Sequence, residues 1–95
     1  SGIGVFEAHI LKRLYNEAIK NFNGDKFEVH CSKEDEKILK SIVKDVDVKI
    51  SKNIEAGFIV KSKEKRMIID FTFETLLRDK ESEIKEVISK TIFSR

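Results

Sequence analysis

The side chains best suited to chemistry are few, and their spacing works against them. His30 and Cys31 are adjacent, and a thiol beside an imidazole is the raw material of a nucleophile–base pair. Their neighbours set that idea aside. Phe27, Val29 and Cys31 alternate with Glu28 and His30, which is the period of a β-strand. Successive side chains on a strand point to opposite faces, so His30 and Cys31 turn away from each other. Cys31 shares a face with Phe27 and Val29 and reads as a small core residue; His30 reads as solvent-facing. His9, the only other histidine, falls on the polar side of a helix. One cysteine and two separated histidines cannot fill a tetrahedral zinc site without carboxylate help. Asp45 and Asp47 share one face of a strand start and read as solvated. Asn23-Gly24-Asp25-Lys26 holds one glycine and precedes a strand, the reverse of the order a phosphate-binding loop needs. The expectation is a chain with no catalytic, cofactor or metal site.

The densest basic stretch is Lys61, Lys63, Lys65 and Arg66. Such a cluster can displace counterions from nucleic-acid phosphates. Glu64 interrupts it, however, and no aromatic side chain lies within it for base stacking. It reads first as a solvated hairpin tip, and a small RNA-binding α/β domain using the Lys61–Arg66 hairpin is the alternative. The net charge of +2 comes from mixed signs, with charged residues at 38% of the 95-residue chain. That lacks the clustered excess of a strong nucleic-acid binder.

The elements that position these residues follow from periodicity. Residues 3–22 read as a helix in which ten of the eleven apolar residues, among them Ile3, Phe6, Ile10, Leu11, Leu14 and Tyr15, fall in one arc of roughly 220°. A surface helix of a small domain needs a stripe of only about 100° or more, so the excess has two readings: a helix sunk deep in its own core, or one shared between that core and a second polypeptide. Gly24 ends the helix region, taking the left-handed conformation at low cost. A strand at Phe27–Cys31 follows. Ser32 then caps a helix whose buried face is Ile38, Leu39, Ile42 and Val43, with Asp35 near the capping-box position. Val46, Val48 and Ile50 alternate as a second strand. A strand–helix–strand crossover implies a parallel pair. Phe58-Ile59-Val60 and Met67-Ile68-Ile69 flank a charged turn and form an antiparallel hairpin. A last helix starts within Asp70–Glu74, with Thr72 as its cap and Phe73, Leu76, Leu77, Ile84, Val87 and Ile88 on one face. Lys80 and Glu81 interrupt that face, so a bend or break is expected there unless the Lys80 stem snorkels. The fold class is α+β: a four-stranded mixed sheet covered by helices.

A chain of 95 residues makes one domain with a thin core. A single cysteine allows no internal disulfide and suits a cytosolic setting. No apolar run approaches the roughly 18 residues that span a membrane. Ser1-Gly2, with the only Met at Met67, reads as an added leader on part of a longer protein.

The stretch from Ile54 to Phe93 resembles the C-terminal domain of the E-type peripheral-stalk protein of archaeal and vacuolar-type ATP synthases. That family carries a Gly-Gly opening a hydrophobic strand, a turn ending in Gly-Arg, a second strand, an Asp-Asn-Thr with a Glu two residues on, and a helix ending near Leu-Phe. The matching positions here are Ala56-Gly57-Phe58-Ile59-Val60, Lys65-Arg66, Asp70-Phe71-Thr72-Phe73-Glu74 and Ile92-Phe93. Ala56, Lys65, Phe71 and Leu76 depart from the family pattern. The resemblance implies a non-catalytic stator piece, cytoplasmic and peripheral to the membrane through a rotary proton-translocating complex. Residues 1–22 would end a long helix paired as a coiled coil with a second stalk subunit. Residues 23–95 would sit against the catalytic head. The interface residues expected on this reading are Ile3, Phe6, Ile10 and Leu14 on the first helix and Arg66 at the turn, with neither nucleic acid nor inserted membrane as a partner.

Overall fold

The computed structural model describes residues 2–64 and 66–93, with side chains for 7–64 and 66–91. In chain order the elements are α1 (Gly2–Ile19), β1 (Phe27–Cys31), α2 (Glu36–Ile42), β2 (Asp47–Ile50), β3 (Gly57–Ser62), β4 (Ile68–Thr72) and α3 (Phe73–Phe93). The strands form one mixed sheet in the order β2-β1-β3-β4. β1 and β2 run parallel with Val29 beside Val48, as the helical crossover requires. β1–β3 and β3–β4 are antiparallel, with Val29 opposite Val60 and Val60 opposite Ile69. The fold is thus the α+β mixed-sheet class expected.

Strand alternation sorts the side chains cleanly. Val29, Cys31, Phe58 and Val60 point to one face and are fully buried there with Leu39 of α2 and Leu11, Tyr15, Ala18 and Phe22 of the α1 region. Tilted and edge-on ring pairs tie this layer together: Phe22 lies 5.2 Å from Phe27, and Phe58 lies 5.8 Å from Phe71 between centroids. The opposite face carries Glu28, His30, Lys49, Lys61 and Asp70, none of them buried. One covered face and one solvated face is a usual state for antiparallel strands.

Local chemistry fixes the junctions. The Asn21 side-chain amide donates to the carbonyls of Glu17 (3.3 Å) and Ala18 (3.2 Å), satisfying carbonyls that α1 leaves open at its end. Asn23 and Gly24 then take positive φ (44° and 86°) to turn the chain into β1. Ser32 Oγ accepts from the Asp35 amide at 3.2 Å and closes the turn that leads into α2; the N-cap is Asp35 rather than the expected Ser32, and no side chain caps it. The Asp35 carboxylate does not close a capping box. It turns inward and accepts from the Gly57 amide at 2.8 Å, joining the start of α2 to the start of β3. Asp45, at φ 59°, sets the bend into β2.

Two elements differ from expectation. Asp70, Phe71 and Thr72 belong to β4 rather than to the last helix, because they pair with Ile59, Phe58 and Gly57. α3 is also one continuous helix through Lys80 and Glu81. It does not lie over the sheet: every described residue from Leu77 to Thr91 is exposed. The radius of gyration is 15.8 Å, above the roughly 12–13 Å of a compact chain of this length.

Candidate protein interface

α3 leaves β4 with no intervening loop, and a small polar network holds the junction. Asp70 Oδ1 accepts from the Thr72 amide (2.8 Å) and the Thr72 hydroxyl (2.7 Å), while Oδ2 accepts from the Thr75 hydroxyl (3.0 Å). Thr72 Oγ1 in turn accepts from the Thr75 amide at 3.3 Å, so Thr72 is the N-cap expected of it. Partial burial pushes Asp70 up, but the hydrogen bonds from Thr72 and Thr75 outweigh that and hold its carboxyl below the usual range. The direction in which α3 departs is set at this junction, by Asp70, Thr72 and Thr75 together with the Phe73 amide, which donates to the Ala56 carbonyl at 3.0 Å.

Beyond the junction α3 presents an apolar stripe to solvent. Phe73, Leu77, Ile84, Val87 and Ile88 are 59%, 50%, 52%, 63% and 51% exposed. At 100° per residue all five lie within about 50° of the stripe's mid-line, and so does Lys80. Steps of four and three residues, Phe73–Leu77–Lys80–Ile84–Val87–Thr91, are the d and a positions of a heptad. At the base of the helix the stripe opens into an apolar groove of about 370 Å³, lined by Ile10, Leu11, Leu14, Phe71, Phe73 and Leu76. Glu7 stands at its rim. A hydrogen bond that the protonated Glu7 carboxyl donates to the neighbouring Asp35 carboxylate, then the like charge of Asp35, raises the Glu7 carboxyl above the ordinary value.

The residues singled out from the sequence are placed unevenly. Ile10 is 41% exposed at the groove, and Leu14 is half-buried on its wall. Ile3 and Phe6 lie outside the described side chains. Arg66 is exposed, 3.7 Å from Glu64, far along the sheet from α3. Over Leu11–Phe22 the wide arc of α1 packs against the chain's own sheet and α2, and among the described residues of the arc Ile10 is an open large apolar side chain. Among the described residues the larger uncovered apolar surface is on α3. Its periodicity is visible in the sequence and points to a core face; the sequence pattern carries no sign of which molecule covers it.

Cys31 is fully buried, and burial pushes its thiol up to about 11. His30 Nε2 lies 2.9 Å from Glu28 Oε1, whose other oxygen is 3.0 Å from Lys49 Nζ. Those hydrogen bonds, from His30 first and Lys49 second, hold the Glu28 carboxyl at about 2. Lys63 pairs with Asp47 at 3.3 Å. The aromatic side chains of the strands, Phe27, Phe58 and Phe71, all belong to the covered face, so the solvated face offers no stacking platform beside Lys61. Among the described residues no group of three or more His, Cys, Asp and Glu is placed to hold a metal ion. No helix there is long and apolar enough to cross a membrane.

No protein-family model matches the chain, and no curated protein matches it.

Proposed function

We propose that the chain is a non-catalytic docking module, the C-terminal part of a peripheral-stalk subunit of a rotary A/V-type ATP synthase. It joins a second, helical stalk subunit to the catalytic head and resists torque, on the cytoplasmic side of the membrane. The observation that carries this reading is the uncovered heptad stripe of α3 running into the groove beside Ile10 and Leu14. Exposed apolar surface of that extent marks an interaction site rather than a solvated face. The order β3, turn, β4, Thr72 cap, α3 also falls on the positions through which the sequence resembles the E-type stalk protein.

The magnitudes favour a helical partner that fills both stripe and groove. Fully burying one such side chain contributes about 1.5–3 kcal/mol, so covering the exposed halves of five gives roughly 5 kcal/mol. Association alone costs about 4 kcal/mol or more, so the stripe by itself makes a weak contact and the groove must add to it. A lipid surface fits less well. Arg78, Lys80, Lys85 and Lys90 are outnumbered on α3 by Glu74, Asp79, Glu81, Glu83 and Glu86, the wrong balance for anionic headgroups.

The test is thermal melting and amide exchange of the chain with and without the second stalk subunit. A rise in melting temperature with protection of α3 amides is expected. No shift at saturating partner overturns the proposal.

A further inference from the structure

Among the described residues, Lys80 is the one charged side chain on the mid-line of the α3 stripe. Leu77 precedes it by one step and Ile84 follows it by one step, so any helix seated on the stripe desolvates it. Its side chain is 73% exposed, and its ammonium group is only loosely engaged, 3.7 Å from Glu83 on the same helix. A lysine at a single seam position specifies register and partner, because the facing layer must answer its charge.

From this we propose that Lys80 sets the register of the partner: the occupant of the stripe is a helix of a different chain that presents a carboxylate in the layer facing Lys80. Glu74 and Glu81 edge one side of the stripe and Glu83 the other, so basic residues flank that carboxylate on the partner. A second copy of this chain carries no Asp or Glu on its own stripe to present to Lys80. A parallel copy places Lys80 against Lys80 in one desolvated layer. An antiparallel copy that aligns Leu77 with Val87 sets Lys80 against Ile84 and brings Glu81 and Glu83 beside their own counterparts. The inference rests on the docking reading of α3 above and adds to it the chemistry of the occupant.

The test uses the full chain and two synthetic amphipathic helices with leucine at the seam and lysine at the flanks. They differ only in the central seam residue, Glu or Lys, so either orientation presents the same charge to Lys80. Affinities are measured by fluorescence anisotropy for the native chain and for Lys80→Glu, a change at an exposed position that leaves the core untouched. The native chain is expected to prefer the Glu peptide by at least about tenfold, and Lys80→Glu to reverse that order. Both peptides binding with the same order in both chains overturns the role of Lys80 while leaving α3 as a docking helix. Neither peptide binding, with α3 amides unprotected, overturns the role and the docking reading together. Dimerisation of the native chain through α3 in sedimentation also overturns it.

Discussion

Replacing Asp35 with alanine removes the tie between α2 and β3, and with it the contact that raises the Glu7 carboxyl. The carboxylate is 3% exposed and spans 22 residues of sequence to accept from the Gly57 amide at 2.8 Å. Alanine removes a charge-assisted hydrogen bond, worth about 1.5–3 kcal/mol, and leaves a buried amide without its acceptor. Part of that loss is returned because no carboxylate need then be desolvated. The expected net cost is about 2–3 kcal/mol, a large share of the roughly 5–14 kcal/mol that holds a domain of this size folded. With a urea slope of about 1 kcal/mol/M or slightly more, the unfolding midpoint falls by about 2 M. Asp35→Asn keeps an oxygen in the same place and is expected to cost about 1 kcal/mol or less. Urea titration followed by circular dichroism measures both. An alanine variant whose midpoint stays within about 0.5 M of the native chain refutes the tie.

Three further outcomes are expected. Glu28 has its carboxyl lowered to about 2 from 4.5, so its contribution is complete above pH 4.5 and is lost as pH falls through 2. The stability gap between the native chain and Glu28→Gln therefore closes by about 1–2 kcal/mol between pH 5 and pH 2, in paired urea titrations. Cys31, fully buried with its thiol raised to about 11, is expected to react with a disulfide reagent at pH 8 only on the unfolding timescale; prompt labelling of the folded chain contradicts the packing. Ile84→Ala is expected to cost under about 0.5 kcal/mol, because Ile84 is half-exposed on a helix without tertiary cover, whereas Phe58→Ala in the sealed core costs about 3–5 kcal/mol. Similar costs at the two positions place α3 against the body and remove the basis for an open stripe.

What is legible in the sequence is what local rules govern. Alternation at Phe27–Cys31 locates β1 and separates His30 from Cys31. The crossover length makes β1 and β2 parallel, the charged turn makes β3–β4 a hairpin, and Thr72 announces the cap of α3. What is not legible depends on distant partners. Asp70 and Phe71 look like the start of a helix until Ile59 and Phe58 are brought alongside them. Asp35 looks like a capping residue, and only the approach of Gly57 draws its carboxylate inward. The apolar arc of α1 looks too wide for so small a body, yet the sheet covers Leu11, Tyr15 and Ala18. A helical stripe has the same period whether the chain itself or a neighbour covers it, so α3 reads as a core element. The residues of the candidate interface are therefore recognisable as a face, while the bearing of that face comes from the junction between β4 and α3.

That junction has a mechanical side. Because β4 passes straight into α3, tension applied to the helix enters the body through an edge strand. β4 is bound to β3 from Gly57–Thr72 through Lys61–Ile68, by bonds that lie across the strands. A pull along β4 shears those bonds together, and all must yield at once. A pull across it peels them one after another. The molecule is therefore a stiff anchor in one direction and a soft one at right angles to it, and the geometry at Thr72 decides which of the two a load on α3 meets.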